Sequence, residues 1–200
     1  MPKLTKIVVQ TANANRVSLF ADDQFLTGID SFTWTQLNLK VGDELTPQLI
    51  DRLRTEDVNG KCYDKALKLL SFRPQSSYEL RQKLSKRFDD DNIRTTIARL
   101  MKEGLVDDKK FAMIWASERL LTRHRSIQHL TAELRQKGIE RTLIQAAIAK
   151  LDKQAEVDAA FSLARRFSQK PPGKLRAYLA RRGFGYPTIK EVEKQLQTQK

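Results

Sequence analysis

The residues that most often carry catalytic or metal chemistry are scarce in this chain. It has two histidines, His124 and His129, and one cysteine, Cys62, among 200 residues. A single cysteine forms neither an intramolecular disulfide nor a cysteine metal cluster, and histidines five positions apart do not stack on one helix face. The sequence also lacks Gly-x-Ser-x-Gly, a phosphate-binding glycine loop and His-Glu-x-x-His. We therefore expect no enzyme activity, no cofactor and no metal site.

Lysine and arginine are the functional residue types that the chain has in excess. The formal net charge is +13 at pH 7. Residues 1–60 hold 6 Lys and Arg against 8 Asp and Glu, whereas residues 61–200 hold 31 against 16. An excess confined to one part of a chain is typical of a surface that binds nucleic acid or an acidic protein. A well-solvated surface without a binding role is the simpler alternative.

The positive residues fall into clusters on and beside the predicted helices. Arg87, Lys137 and Arg182 each close the second helix of a predicted repeat. Equivalent places in a tandem array lie along one side, so these residues predict a basic line that contacts an extended polyanion. The candidate binding residues are Lys83, Lys86, Arg87, Arg119, Arg123, Arg125, Arg135, Lys137, Arg165, Arg166, Arg176, Arg181 and Arg182.

A recurring pattern of leucines predicts the helices that position these clusters. Each leucine pair is spaced by four residues and is followed by a basic turn and a further helix with Ile, Val or Leu at helical spacing. The pairs are Leu80 and Leu84, Leu130 and Leu134, and Leu175 and Leu179, separated by 50 and then 45 residues. This period predicts three three-helix repeats. A unit of that size buries too little apolar surface alone, so the repeats should share faces, with the leucines in the core.

Helix-start and helix-stop signals set the expected boundaries. Thr46 followed by Pro47 is typical of a helix start, and Pro74 should stop the opening helix of the first repeat. Ser76 and Glu79 fit a capping box at the start of the next helix. The predicted domains are a β-rich segment with a linking helix at 1–60 and three-helix repeats at 61–106, 107–154 and 155–200.

The first 60 residues have a different pattern from the repeats. Short β-rich runs at 6–10, 16–20 and 24–27 are separated by segments of turn composition, which predicts a small antiparallel sheet. Residues 32–39 fit either a short helix or a final strand. Gly60 is the expected boundary with the first repeat, although the helix that begins near Thr46 is also compatible with continuing past it.

The larger aromatic residues of the repeats are expected in the core. Phe111, Trp115 and Phe161 lie at helical spacing with other apolar residues, which favours packing. Contact between these rings and nucleic-acid bases is the alternative.

The sequence predicts a cytoplasmic protein. No apolar run approaches the roughly 18 residues of a membrane span, and the first residues do not open a signal peptide. We expect no contact with a membrane.

Five segments taken together resemble the RecX family of recombination regulators. They are Ala66 to Ser76, Glu79 to Leu84, Gly104 to Ala112, Glu133 to Ile139 and Arg181 to Phe184, and they occur in the order and at the spacing of that family. Residues 39–45, with Leu39, Gly42 and Leu45, resemble the N-terminal extension of RecX proteins from Gram-positive bacteria. Two positions depart from the family pattern: Phe88 and Ser126 stand where the family commonly has glycine.

The resemblance implies a mainly α-helical protein that modulates RecA. Such a protein is a curved, elongated array of three-helix repeats that lies in the groove of the RecA–DNA filament and restrains strand exchange and ATP turnover. The implied partners are the RecA filament and, weakly and with salt dependence, single- and double-stranded DNA. We expect the protein itself to be a monomer.

Two other classes of function are compatible with the sequence. One is a regulator that binds DNA alone by placing a three-helix unit in the major groove. The other is a helical-repeat scaffold for a different protein. No repeat has the Asn, Gln and Arg set on one exposed face that base reading requires, which disfavours the first of these alternatives.

Overall fold

The computed structural model describes residues 1–11, 13–165 and 172–198. These residues form three strands and ten helices. The chain divides into two compact units. Unit 1 comprises Met1–Arg73 and Leu80–Glu103, and unit 2 comprises Pro74–Glu79 and Gly104–Lys200.

Unit 1 begins with the predicted antiparallel sheet. Strands β1 (Leu4–Gln10), β2 (Asn13–Ala21) and β3 (Gln24–Asp30) lie in the order β1-β2-β3. The central strand pairs Val17 with Val9 on one side and with Ile29 on the other. The alternation of strand side chains turns Val17 and Ile29 into the core, where both are buried.

Two helices complete the N-terminal part of unit 1. Helix α1 (Ser31–Leu37) settles the open question at 32–39 in favour of a helix, and helix α2 (Pro47–Phe72) follows. Thr46 caps α2 as predicted, because its Oγ1 accepts a hydrogen bond from the Leu49 N–H at 3.2 Å. Leu45 and Leu53 are fully buried with the inner face of the sheet.

Helix α2 runs through Gly60 without a break, and the reason lies in β2. Arg16 is buried and donates hydrogen bonds to Asp57 Oδ1 at 2.5 Å and to the Gly28 carbonyl at 2.8 Å. A Cβ atom at position 60 would lie 2.3 Å from Arg16 Nη1. Gly60 therefore leaves room for a buried ion pair that ties the sheet to α2, and the expected boundary at this glycine lies inside a helix.

The last helices of unit 1 bury the first leucine pair. Helix α2 ends at Phe72, just before Pro74, and is followed by α3 (Ser77–Leu84) and α4 (Asp90–Lys102). Leu80, Leu84 and Ile93 are fully buried. Each such side chain contributes about 1.5–3 kcal/mol to folding.

Unit 2 contains two complete three-helix repeats. Their helices are α5 (Asp108–Arg123), α6 (Ile127–Gln136), α7 (Arg141–Ala149), α8 (Lys153–Ala164), α9 (Pro172–Arg181) and α10 (Tyr186–Thr198). One continuous core joins the two repeats, and it includes the leucine pairs at 130 and 134 and at 175 and 179. The predicted sharing of faces is confirmed for these repeats. Phe111 is buried in the same core, and Trp115 and Phe161 pack against it, as expected.

Two equivalent serine hydroxyls in unit 2 each connect the start of one helix to the end of the corresponding helix in the following repeat. Ser76 Oγ accepts a hydrogen bond from the Glu79 N–H at 3.1 Å and donates one to the Lys137 carbonyl at 2.7 Å. Ser126 Oγ accepts from the His129 N–H at 3.3 Å and donates to the Arg182 carbonyl at 2.8 Å. Each hydroxyl thus caps the start of one helix and satisfies the end of the corresponding helix in the next repeat.

Glycine follows each of these helix ends for both conformational and steric reasons. Gly138 and Gly183 have φ of 69° and 77°, in the left-handed region. A Cβ at 138 would lie 2.2 Å from the Tyr78 ring, and one at 183 would lie 2.7 Å from Ser126 Oγ. Only glycine satisfies the backbone and the space at both positions. The predicted capping box is also present, since the Ser76 N–H donates to Glu79 Oε2 at 3.4 Å.

Among the described helices, none combines the length and the apolar character that a membrane crossing requires.

Candidate functional site

The candidate basic residues occur in both units of the structure. Lys83, Lys86 and Arg87 belong to unit 1, on α3 and in the turn that follows it. Arg166 lies outside the described residues. The remaining candidates belong to unit 2.

Lys137 already has an internal partner. Its Nζ lies 2.7 Å from Glu79 Oε1 and 4.1 Å from the centre of the Trp115 ring, and only 17% of its side chain is exposed. The carboxylate and the ring face together hold the ammonium charge inside unit 2. A contact between Lys137 and a partner molecule stays a prediction, and it would require this ammonium group to leave its present contacts.

Of two further candidates, Arg119 lies over the same tryptophan and Arg125 lies near the carboxylate that binds it. The Arg119 guanidinium lies 4.2 Å from the centre of the Trp115 ring. Glu133 accepts a hydrogen bond from Trp115 Nε1 at 3.1 Å and lies 3.2 Å from Arg125 Nε, an electrostatic contact without hydrogen-bond geometry. Trp115 and Arg119 are four residues apart on α5, which places their side chains on one face. These arginines therefore contribute to the packing of unit 2.

Arg176 is exposed but paired. Its Nε and Nη2 donate to the two carboxylate oxygens of Glu193 on α10, at 3.2 and 2.8 Å. This two-pronged hydrogen bond, together with the charge of Glu193, raises the pKa of the guanidinium. The pair connects two helices of the third repeat and leaves little unbalanced charge at this position.

Seven candidates have exposed side chains and no ion-pair partner among the described residues. Within this group, Arg181 Nε donates to the Ala177 carbonyl at 3.3 Å, and the Arg182 guanidinium lies 5.2 Å from the centre of the Tyr178 ring. Both contacts leave the positive charge unneutralised. The seven are Lys86, Arg87, Arg123, Arg135, Arg165, Arg181 and Arg182; Lys83 is half-buried.

Arg135 shares a groove with a second cation, Arg141, that is absent from the predicted binding residues. A groove between α6 and α7 is lined by Arg135 and Arg141, with Ile144 and Ile148 among its apolar lining. Arg141 is the first residue of α7, six positions after Arg135. Because only the fold brings the two guanidinium groups to the same groove, their spacing along the chain does not predict this arrangement.

The predicted basic line joins residues of both units. Lys137 is the C-cap of α6, and Arg182 directly follows α9, so both occupy equivalent places in unit 2. Arg87 belongs to unit 1. A single line through all three residues stays a prediction.

The fold and the charge define this protein as a helical-repeat protein with a small N-terminal sheet and a large excess of positive side chains. Family models match in the same order: "Regulatory protein RecX N-terminal domain" at residues 2–46, "RecX, first three-helix domain" at 62–100 and "RecX, second three-helix domain" at 107–148. The chain belongs to the RecX family of regulatory proteins, as its motifs predicted.

Individual relatives agree with this assignment. The regulatory protein RecX of Clostridioides difficile is 30% identical, over 94% of this chain and 93% of its own length. A crystal structure of regulatory protein RecX covers 97% of this chain with a TM-score of 0.84 and 22% identity, and all of that structure is matched. RecX from Lactobacillus salivarius has a TM-score of 0.65 and 24% identity, over 71% of this chain and 98% of that structure. The two structures show that the fold is shared.

Proposed function

We propose that this protein regulates homologous recombination and DNA repair by binding in the groove of RecA–DNA filaments. Bound there, it restrains the recombinase and ATPase activities of RecA. Membership of a family of regulatory proteins supports this function. The observation that carries it is the set of seven exposed cations without ion-pair partners among the described residues, because an unbalanced basic surface attracts the phosphates of a nucleoprotein filament.

Unit 2 is suited to act as a firm body against a filament. Its two repeats share one core, and Ser126 at the start of α6 donates a hydrogen bond to the Arg182 carbonyl after α9. Arg135, Arg181 and Arg182 are therefore presented from a packed framework rather than from free loops. A body of this kind that touches neighbouring RecA protomers opposes the conformational cycle on which ATP turnover and strand exchange depend.

We also propose a cellular location, an oligomeric state and a DNA affinity for this protein. The protein acts in the cytoplasm as a monomer, and its affinity for DNA alone is weak and falls with rising salt. Each cation that neutralises a phosphate releases counterions, so the logarithm of the binding constant falls linearly with the logarithm of salt concentration, by about 0.7 to 0.9 per contact.

The test compares a double and a single arginine variant in and beside α9. Arg181→Ala with Arg182→Ala removes two exposed charges without ion-pair partners among the described residues, whereas Arg176→Ala removes an exposed charge that is paired with Glu193. We expect the double variant to bind RecA–DNA filaments more weakly, to inhibit ATP hydrolysis by RecA less and to show a smaller salt dependence. The Arg176→Ala control should retain most of the inhibition.

Co-sedimentation separates the proposal from its alternatives. Preference for RecA filaments over naked single- and double-stranded DNA supports filament regulation. Sequence-specific duplex binding without RecA would instead indicate a stand-alone DNA-binding regulator. Unchanged inhibition of RecA by the double variant would overturn the assignment of these arginines.

A further inference from the structure

A basic cleft in unit 1 was not anticipated from the sequence. It lies between α2 and the turn that joins α3 to α4, and it contains three lysines of α2 together with Arg87 and Phe88. Its lining residues are Lys61, Asp64, Lys65, Lys68, Arg87 and Phe88.

The lysines form one row along α2. Lys61, Lys65 and Lys68 are separated by four and then three residues, the spacing that places side chains on one helix face. With a rise of 1.5 Å per residue, the row extends about 10 Å along the helix. Such a row follows an extended polyanion rather than a single small anion.

Two carboxylates near the cleft, those of Asp57 and Asp64, already have partners. Asp57 binds both Arg16, at 2.5 Å, and Lys61, at 2.7 Å. Asp64 lies 3.7 Å from Arg16 and accepts a hydrogen bond from the Asn13 side chain at 3.2 Å. Two cations and two carboxylates therefore balance within this group.

Three positive charges remain after this balance. Lys65, Lys68 and Arg87 have no ion-pair partner among the described residues, and all three line the cleft. A polyanion that enters the cleft thus meets cations without first displacing a carboxylate, which makes neutralisation of its charge favourable.

Phe88 adds an aromatic ring beside these cations. Its side chain is half-buried, and it belongs to neither of the apolar core clusters of the structure. An accessible ring next to a row of cations is the combination by which proteins bind unpaired nucleic-acid strands, with cations on phosphates and a base stacked on the ring.

We propose that this cleft binds single-stranded nucleic acid, with Lys65, Lys68 and Arg87 on successive phosphates and a base stacked on Phe88. The bases of a duplex are stacked on each other and offer no free face, whereas an unpaired strand presents both phosphates for the cations and a base face for the ring. This inference rests on the proposed function, because within a RecA–DNA filament the cleft supplies a contact with the DNA strand. Binding itself is measured without RecA.

The first measurement isolates the ring. Fluorescence anisotropy of a labelled single strand is titrated with the full chain and with the variants Phe88→Ala, Phe88→Leu and Phe88→Trp. Loss of one stacked base should lower the affinity for the single strand at least about fivefold in Phe88→Ala. Phe88→Leu should lose affinity similarly, although it retains an apolar side chain, and Phe88→Trp should restore binding. Affinity for a duplex of the same sequence should be unchanged in all three.

The second measurement isolates the charges. Lys65→Gln with Lys68→Gln should reduce the slope of log affinity against log salt by about 1.4, because each phosphate contact of a single strand contributes about 0.7. Lys40→Gln is the matched control, since Lys40 is an exposed lysine of unit 1 outside the cleft, with no ion-pair partner among the described residues. Thermal unfolding of each variant checks that the fold is retained.

These measurements test nucleic-acid binding at the cleft independently of the RecA proposal. Equal affinity of Phe88→Ala and wild type for the single strand overturns the stacking site, as does an equal loss for single strand and duplex. Competition by poly-glutamate as strong as that by the unlabelled single strand would indicate an acidic protein as the occupant and overturn it too. If Phe88→Ala does not fold, the Phe88→Leu and lysine variants decide. RecA inhibition that persists while single-strand binding fails leaves the filament proposal standing and rejects only the cleft.

Discussion

Replacing Gly60 with alanine tests whether the buried ion pair determines the geometry of unit 1. Alanine favours a helix interior by about 0.8–1 kcal/mol relative to glycine, so Gly60→Ala would be stabilising if this position were an ordinary helical residue. The structure predicts the opposite sign. The new methyl group would lie 2.3 Å from Arg16 Nη1, and the guanidinium would have to leave its site.

The expected cost follows from the contacts that are lost. Arg16 gives up its hydrogen bonds to Asp57 and to the Gly28 carbonyl, while Asp57 keeps Lys61 at 2.7 Å. Breaking a buried pair costs about 3–5 kcal/mol, and the helix preference of alanine offsets up to about 1 kcal/mol of this. Because Asp57 retains a partner, we expect the lower part of that range, a net loss of about 2–3 kcal/mol in the free energy of unfolding.

Urea denaturation followed by far-UV circular dichroism measures this change. Gly173→Ala is the matched control, because Gly173 lies in the first turn of α9 and an added Cβ there meets no atom of the described residues within 4 Å. We expect Gly173→Ala to be neutral or slightly stabilising. An unfolding free energy for Gly60→Ala equal to or above that of the wild type would refute the ion-pair explanation and restore Gly60 as an ordinary helical or boundary position.

Two further predictions concern a serine cap and a tyrosine. Ser126→Ala should lower the free energy of unfolding by about 1 kcal/mol, because the His129 N–H loses its cap while the Arg182 carbonyl keeps its contact with His129 Nδ1 at 2.6 Å; a change below about 0.5 kcal/mol in urea unfolding would contradict this. Burial, and then the hydrogen bond to Glu103, raise the pKa of Tyr63 from 10.0 to about 12. The unfolded chain therefore loses this proton first, and stability should fall as the pH rises from about 10 to about 12. Urea midpoints across that range should decline more in the wild type than in Tyr63→Phe, and equal declines would contradict the assignment.

Features with short-range causes could be predicted from the sequence. The caps at Thr46 and Ser76 depend on residues within one helical turn, and both have the expected hydrogen bonds. The leucine pairs were recognisable because each occupies one helix face and the pattern recurs. These signals determine the order of the helices and which side of each faces the core.

Features with long-range causes could not be predicted in this way. The pattern around Gly60 is compatible with either a boundary or a continuous helix. It does not reveal why glycine is needed there, because Arg16 lies 44 positions earlier, on another element. The contact between Lys137 and Glu79 joins residues 58 positions apart, so the sequence alone could not distinguish this paired lysine from an open one. Whether a cation is available to a partner depends on such distant carboxylates.

The α2 lysines were missed for a different reason. Lys61, Lys65 and Lys68 have a helical spacing that is visible in the sequence, and all three follow Gly60 on one helix. They lie outside the leucine pairs and basic turns whose recurrence predicts the binding residues, so the repeat pattern does not include them. Phe88, by contrast, needed the fold, because only the structure brings its ring beside that row.

The hydroxyl shared between neighbouring repeats makes stability in unit 2 a nearest-neighbour property. When α9 unravels, Ser126 loses the Arg182 carbonyl, and the entry to α6 is weakened in a repeat that has not itself opened. Fraying that starts at the C-terminal helices should therefore spread to α6. Removal of the third repeat should likewise make amide exchange in α6 faster. The length of the array is in this sense a determinant of how firmly each of its members is folded.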